Sequence, residues 1–150
     1  MKDLRKQRLA QAGFTLIELM VVIVILGILA AFVAPRMIGR TEEAKQKAAQ
    51  VQIESFGSAL QLYKLDNGSY PSTEQGLEAL VEKPSVGVPP SNWKEGGYLE
   101  KGRVPLDPWG NDYVYVSPGI NNPDYDISSY GRDGEDGGDG DNADIESWNN

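Results

Sequence analysis

From Phe14 to Ala34 the chain carries apolar side chains almost without interruption, and Glu18 is the only charge in the run. A helix of that length spans roughly 30 Å at 1.5 Å per residue, which is the thickness of a bilayer's hydrocarbon core. The pattern predicts a transmembrane helix over 14–34. Ahead of it, Lys2, Arg5, Lys6 and Arg8 outweigh Asp3. That bias keeps the N-terminus cytoplasmic and sends everything after Ala34 across the membrane. The run is long and no Ala-x-Ala site closes it, so it does not read as an ordinary cleaved signal peptide.

Pro35 interrupts the pattern and predicts a kink or a locally melted segment between Gly27 and Pro35, the alternative being that the helix ends there. Helical periodicity then resumes over 35–66. Ala49, Ile53, Phe56, Leu60 and Tyr63 recur at three- and four-residue intervals and predict a buried face. Beside them runs a flatter stripe of Ala44, Ala48, Val51, Ser55, Ala59 and Leu62, open to another helix or to solvent. Asp66, Asn67 and Gly68 stop the helix. A short helix within 71–83 is expected, capped by Thr73 and packed through Leu77, Leu80 and Val81. Residues 84–97 read as a loop, and Tyr98-Leu99, 112–117 and 125–129 as short strands joined by turns at 105–110 and 118–123. One long helix, a short helix and a small antiparallel sheet make an α+β chain, its globular part within 67–150.

Composition changes this picture in two places. The chain has neither cysteine nor histidine, so an exported domain has no disulfide to staple it and lacks the commonest general base and transition-metal ligand. The net charge of -8 is confined to the C-terminal end, because acidic and basic residues balance as far as residue 123 and only Arg132 offsets the acids beyond it. A nucleic-acid surface needs the opposite sign and is excluded as a class.

Within that end, residues 133–144 crowd Asp133, Glu135, Asp136, Asp139, Asp141 and Asp144 among glycines. Hard oxygen ligands on a flexible backbone suit calcium better than zinc. An EF-hand loop fits poorly, with Gly137 at its fifth position and Asp144 at its twelfth. A nonapeptide calcium repeat fits poorly too, since Asn142 departs from it and no tandem copy follows. The remaining alternative is an acidic disordered tail, against which Ile145 and Trp148 read as anchors.

Gly13, Phe14 and Glu18, placed at the start of an apolar span, resemble the processing motif of type IV pilins and type II secretion pseudopilins. Lys64 to Pro71, Thr73 to Leu77, Gly96 to Leu99 and Asp107 to Tyr113 resemble the major pseudopilin family of type II secretion more closely. The resemblance implies a type IV pilin-like ladle, a leader (1–13) removed after Gly13 by prepilin peptidase, and N-methylation of Phe14. Glu18, costly in hydrocarbon by about 2.5–3.5 kcal/mol at a helix centre and less near an interface, would then neutralise the new amino group of a neighbouring subunit, or otherwise snorkel to the headgroups.

It further implies a calcium site within 130–144, with side-chain ligands Asp133, Asp141 and Asp144 and the backbone carbonyls of Tyr130 and Glu135. Asp136 and Asp139 stand as substitutes or outer charges. The expected protein is a non-enzymatic subunit of the bacterial inner membrane, single-pass with its C-terminal domain periplasmic. It would leave the lipid to form a homopolymer with minor pseudopilins on an inner-membrane assembly platform, driving folded proteins through the outer membrane. A type IV pilin for adhesion or motility is the nearest alternative, disfavoured because such pilins commonly close a C-terminal loop with a cysteine pair. A membrane-anchored calcium-dependent hydrolase is the second, without His or Cys to serve it.

Overall fold

The computed structural model describes residues 14–149, the side chains of 32–40 excepted. In chain order it forms helix α1 (Leu16–Asn67), a single 3-10 turn at Leu77–Leu80, strands β1 (Val114–Val116) and β2 (Asp126–Ser129), a second 3-10 turn at Gly140–Asn142, and strand β3 (Ile145–Glu146). The leader and the cleavage position at Gly13 lie outside the described residues. The chain divides into two units between Ile38 and Gly39.

In the first unit the described helical side chains from Leu16 to Ala31 are apolar around the whole circumference apart from Glu18. Its described large side chains from Phe14 to Leu29 are all at least 46 % exposed, which suits a helix surrounded by lipid or by other helices. Among the described residues no helix is long and apolar enough to cross a membrane. The expected span continues into residues 32–34, whose side chains are among those excepted. The backbone stays helical through Gly27 and Pro35, so the helix neither ends nor melts there.

The second unit is built on the C-terminal part of α1. Ala49, Ile53, Phe56, Leu60 and Tyr63 are all buried, as their spacing predicts. Ala59, expected on the open stripe, joins them in the core, whereas Ala44, Ala48, Val51, Ser55 and Leu62 remain exposed. Against this face pack Leu77, Ala79 and Leu80 from the first 3-10 turn, and Tyr113, Tyr115, Ile127 and Ile145 from the sheet region. Phe56 meets Tyr113 edge to face with ring centroids 5.0 Å apart. Each large apolar side chain buried here contributes about 1.5–3 kcal/mol.

The sheet is antiparallel in the order β1-β2-β3. Tyr115 pairs with Ile127, and Ser129 with Ile145. Central β2 is buried at all four positions, so its polar groups need partners. Ser129 Oγ donates to Asp107 Oδ2 at 2.6 Å. Asp126 accepts the backbone N–H groups of Ile120, Asn121 and Asn122 at 2.7, 2.7 and 2.9 Å, which closes the β1-β2 turn.

Three local expectations are corrected. Tyr98-Leu99 is no strand: Tyr98 N–H donates to Leu80 O at 2.7 Å, and its hydroxyl meets Asn67, so both groups are spent on the helical layer. Thr73 caps nothing, because its hydroxyl exchanges hydrogen bonds with the backbone of Ser117. The short helix shrinks to one 3-10 turn preceded by Gly76, which offers no side-chain cap. The helix stop is as expected, with Gly68 at φ 84° and its N–H on Lys64 O at 2.7 Å. The 84–97 loop is held by Gln75, whose Nε2 donates to the carbonyls of Val86 and Val88 at 2.9 Å each.

Candidate functional sites

At the start of α1, Thr15 and Glu18 satisfy each other's backbone. Glu18 N–H donates to Thr15 Oγ1 at 3.3 Å, and Thr15 N–H to Glu18 Oε2 at 3.4 Å. This is a capping box, which occupies N–H groups that a helix start otherwise leaves unpaired. The carboxylate expected to reach a neighbouring subunit is therefore engaged with its own chain here. The Thr-x-x-Glu spacing is the sequence signal for this local role of Glu18.

The acidic loop leaves β2 through Tyr130 and returns to β3 through Asp144. Its ends come together where Gly131, at φ 63°, lies so close to Ala143 O that a Cβ would stand 2.8 Å from it. A side chain there would be strained and would also push the two ends apart.

Among the expected ligands, Asp144 Oδ2 accepts Gly137 N–H at 2.8 Å, and Asp133 Oδ1 accepts Glu135 N–H at 3.3 Å. Asp141 Oδ2 instead lies 3.9 Å from Arg132 Nη1. Among the described residues no cluster of three or more acidic side chains is gathered closely enough to hold a metal ion. Asp144 nevertheless stands out, since its Oδ1 is buried without a hydrogen-bond partner. Burial pushes its carboxyl above the usual range; the Gly137 N–H opposes this, and the charges of Asp136 and Asp133 add to it. A hard cation would satisfy that oxygen and neutralise that repulsion, so the donors present fit calcium chemically.

Around the loop is a polar frame that the sequence did not reveal. Asp107 is buried and its Oδ1 accepts Trp109 N–H at 3.0 Å and Asn111 N–H at 2.7 Å. Asn111 Nδ2 donates to Gly131 O at 3.2 Å, and Trp109 Nε1 to Glu42 Oε2 at 2.9 Å. That indole bond is the chief reason the Glu42 carboxyl sits below its ordinary value; burial opposes it, and Lys45 and Arg132 assist. Glu42 and Trp109 are far apart in sequence, so no spacing could have paired them.

Residues 36–148 match the family model of type II secretion system (T2SS) protein G, and residues 8–34 match the prokaryotic N-terminal methylation motif. The type II secretion system core protein G of Pseudomonas aeruginosa is 54% identical over 96% of this chain and 99% of its own length. That of Vibrio cholerae is 53% identical over 99% and 97%. The crystal structure of the major pseudopilin from the type 2 secretion system of enterohaemorrhagic Escherichia coli superposes with a TM-score of 0.65 at 40% identity, covering 74% of this chain and 88% of that one. These likenesses bear out the α+β pilin-like fold and favour the pseudopilin reading over both the adhesive pilin and the hydrolase. With one model spanning most of the chain and relatives above half identity over nearly all of it, this chain belongs to the type II secretion system protein G family.

Proposed function

We propose that the chain is the major structural subunit of a type II secretion pseudopilus, anchored in the inner membrane by 14–34 before it polymerises into a periplasmic filament. The observation that carries this is the joint match of residues 8–34 to a methylation motif and of 36–148 to secretion protein G. A pseudopilin is a structural subunit rather than an enzyme, so the site chemistry concerns processing, assembly and stability. Prepilin peptidase would cut after Gly13 and methylate Phe14. Glu18 would then exchange its capping bond for the amino group of a neighbouring subunit, a pairing favoured where water is scarce. Minor pseudopilins and an inner-membrane platform are the partners this role requires.

Calcium would be held by Asp133, Asp141 and Asp144 with the carbonyls of Tyr130 and Glu135. It would supply the loop closure that the chain, lacking cysteine, cannot obtain from a disulfide. The unpartnered Asp144 Oδ1 supports this reading. Asp141 would have to leave Arg132 to take part.

Processing is tested by intact mass after co-expression with prepilin peptidase. The expected product lacks residues 1–13 and carries one methyl group on Phe14, and Gly13→Leu blocks both changes. An unprocessed wild-type chain would overturn the reading.

A further inference from the structure

On one flank of α1 a groove of about 350 Å³ lies between the helix and the 98–105 segment. Its helix wall presents Ser55, Ser58 and Leu62, and its opposite rim carries Lys101 and Arg103 beside a single acid, Glu100. Lys101 and Arg103 are exposed, and among the described residues neither side chain makes an ion pair. The acidic loop sits on the other flank, where Gln46 Nε2 donates to Gly140 O at 2.8 Å and Gln46 and Gln50 face Asp144 across a second groove. At about 100° per residue, the Gln46–Gln50 flank and the Ser55–Leu62 flank are roughly 150° apart, with the buried face between them.

The two flanks are complementary in charge and in shape. Glu135, Asp136 and Asp139 are exposed and pair with no cation among the described residues, whereas Arg132 is turned toward Asp141. The calcium reading above uses other side chains, so these three carboxylates are left for a cation elsewhere. Between them Gly137 and Gly138 carry no side chain, so the loop offers a thin strip of backbone to a groove whose serines supply hydrogen-bonding groups.

From this arrangement we infer that the groove of one copy receives the acidic loop of a second copy, with Lys101 and Arg103 facing Glu135, Asp136 and Asp139. The inference rests on the filament reading and names its contact surface. Two different patches on opposite flanks make a heterologous interface, which leaves one patch of each kind unused and so propagates from copy to copy. Gln46 and Ser58 are about 18 Å apart along the helix axis. Parallel copies that meet this way are therefore stepped along that axis as well as rotated, which builds a helical filament and not a closed ring. The charges steer the encounter and fix its register.

The test is electron microscopy of filaments from cells that express the full chain with prepilin peptidase and a type II assembly platform. Lys101→Glu with Arg103→Glu should lower filament yield by more than about tenfold, because like charges then face each other, while thermal unfolding matches the wild type. Adding Glu135→Lys and Asp139→Lys reverses the other face and should restore filaments. Should the reversed chains fold poorly, the absence of cysteine from the sequence allows a second measurement. Cells expressing an Arg103→Cys chain together with an Asp139→Cys chain should give covalent dimers on oxidation, and cells expressing either alone should give none. Undiminished filaments in the Lys101→Glu, Arg103→Glu variant would overturn the contact, as would a loss that the fourfold variant does not recover or an absence of mixed dimers. A wild type without filaments would instead remove the filament reading on which the contact rests.

Discussion

Asp144→Asn is expected to act with opposite sign depending on calcium. Asp144 keeps one oxygen on Gly137 N–H and buries the other without a partner, and the charges of Asp136 and Asp133 act against its own. An unsatisfied buried acceptor costs about 1–3 kcal/mol. Asn keeps an oxygen for Gly137 and removes the charge that Asp136 and Asp133 oppose, so without calcium the variant should be more stable than wild type by about 1 kcal/mol. For a domain of this size that raises Tm by roughly 4–8 °C. At calcium a hundredfold above Kd the wild type gains about 2.7 kcal/mol, most of which the variant forgoes. Thermal unfolding with chelator and with calcium should therefore show the two curves exchanging order. The reasoning is refuted if Asp144→Asn is destabilised alike in both conditions, or if calcium stabilises both proteins equally.

Phe56→Ala empties the centre of the core, where the ring is fully buried against Tyr113; urea unfolding should show a loss of about 3–5 kcal/mol. Asp107→Ala strands the N–H groups of Trp109 and Asn111 and the Ser129 hydroxyl, so it should cost about 3–5 kcal/mol in the same assay. Asp107→Asn, which keeps one accepting oxygen, should cost clearly less. Burial alone would raise the Asp126 carboxyl, but the N–H groups of Asn121, Asn122 and Ile120 outweigh it and hold it below its ordinary value of 3.8. Its contribution is present above that value and lost as pH falls through the lowered one, so Asp126→Asn should flatten the acid limb of stability against pH below about 4.

The helix was legible because a 3.6-residue period is written in the side chains themselves. Ala49 to Tyr63 declare one face, and Asp66-Asn67-Gly68 declare its end. Ala59 was misplaced because a small residue between two faces carries no signal about which one closes over it. Strands β1 and β2 followed from apolar alternation, but β3 has two residues, too few for any period. The polar frame was invisible for a different reason. Asp107, Trp109 and Glu42 are ordinary residues until the turn at 107–111 folds onto α1, and nothing in their spacing predicts it. The acidic loop showed its chemistry in composition, whereas its ligand set came from resemblance. The structure sets Asp144 apart by an unpartnered oxygen and leaves Asp141 beside Arg132.

The central claim is polymerisation, and it is measured most directly by electron microscopy of filaments from cells that express the chain with prepilin peptidase and a type II assembly platform. The account predicts filaments whose protein is this chain without residues 1–13, absent when Glu18 is replaced by Ala although processing continues. A processed chain that stays dispersed in the membrane, with no filament under conditions where a related core protein G forms one, would contradict it.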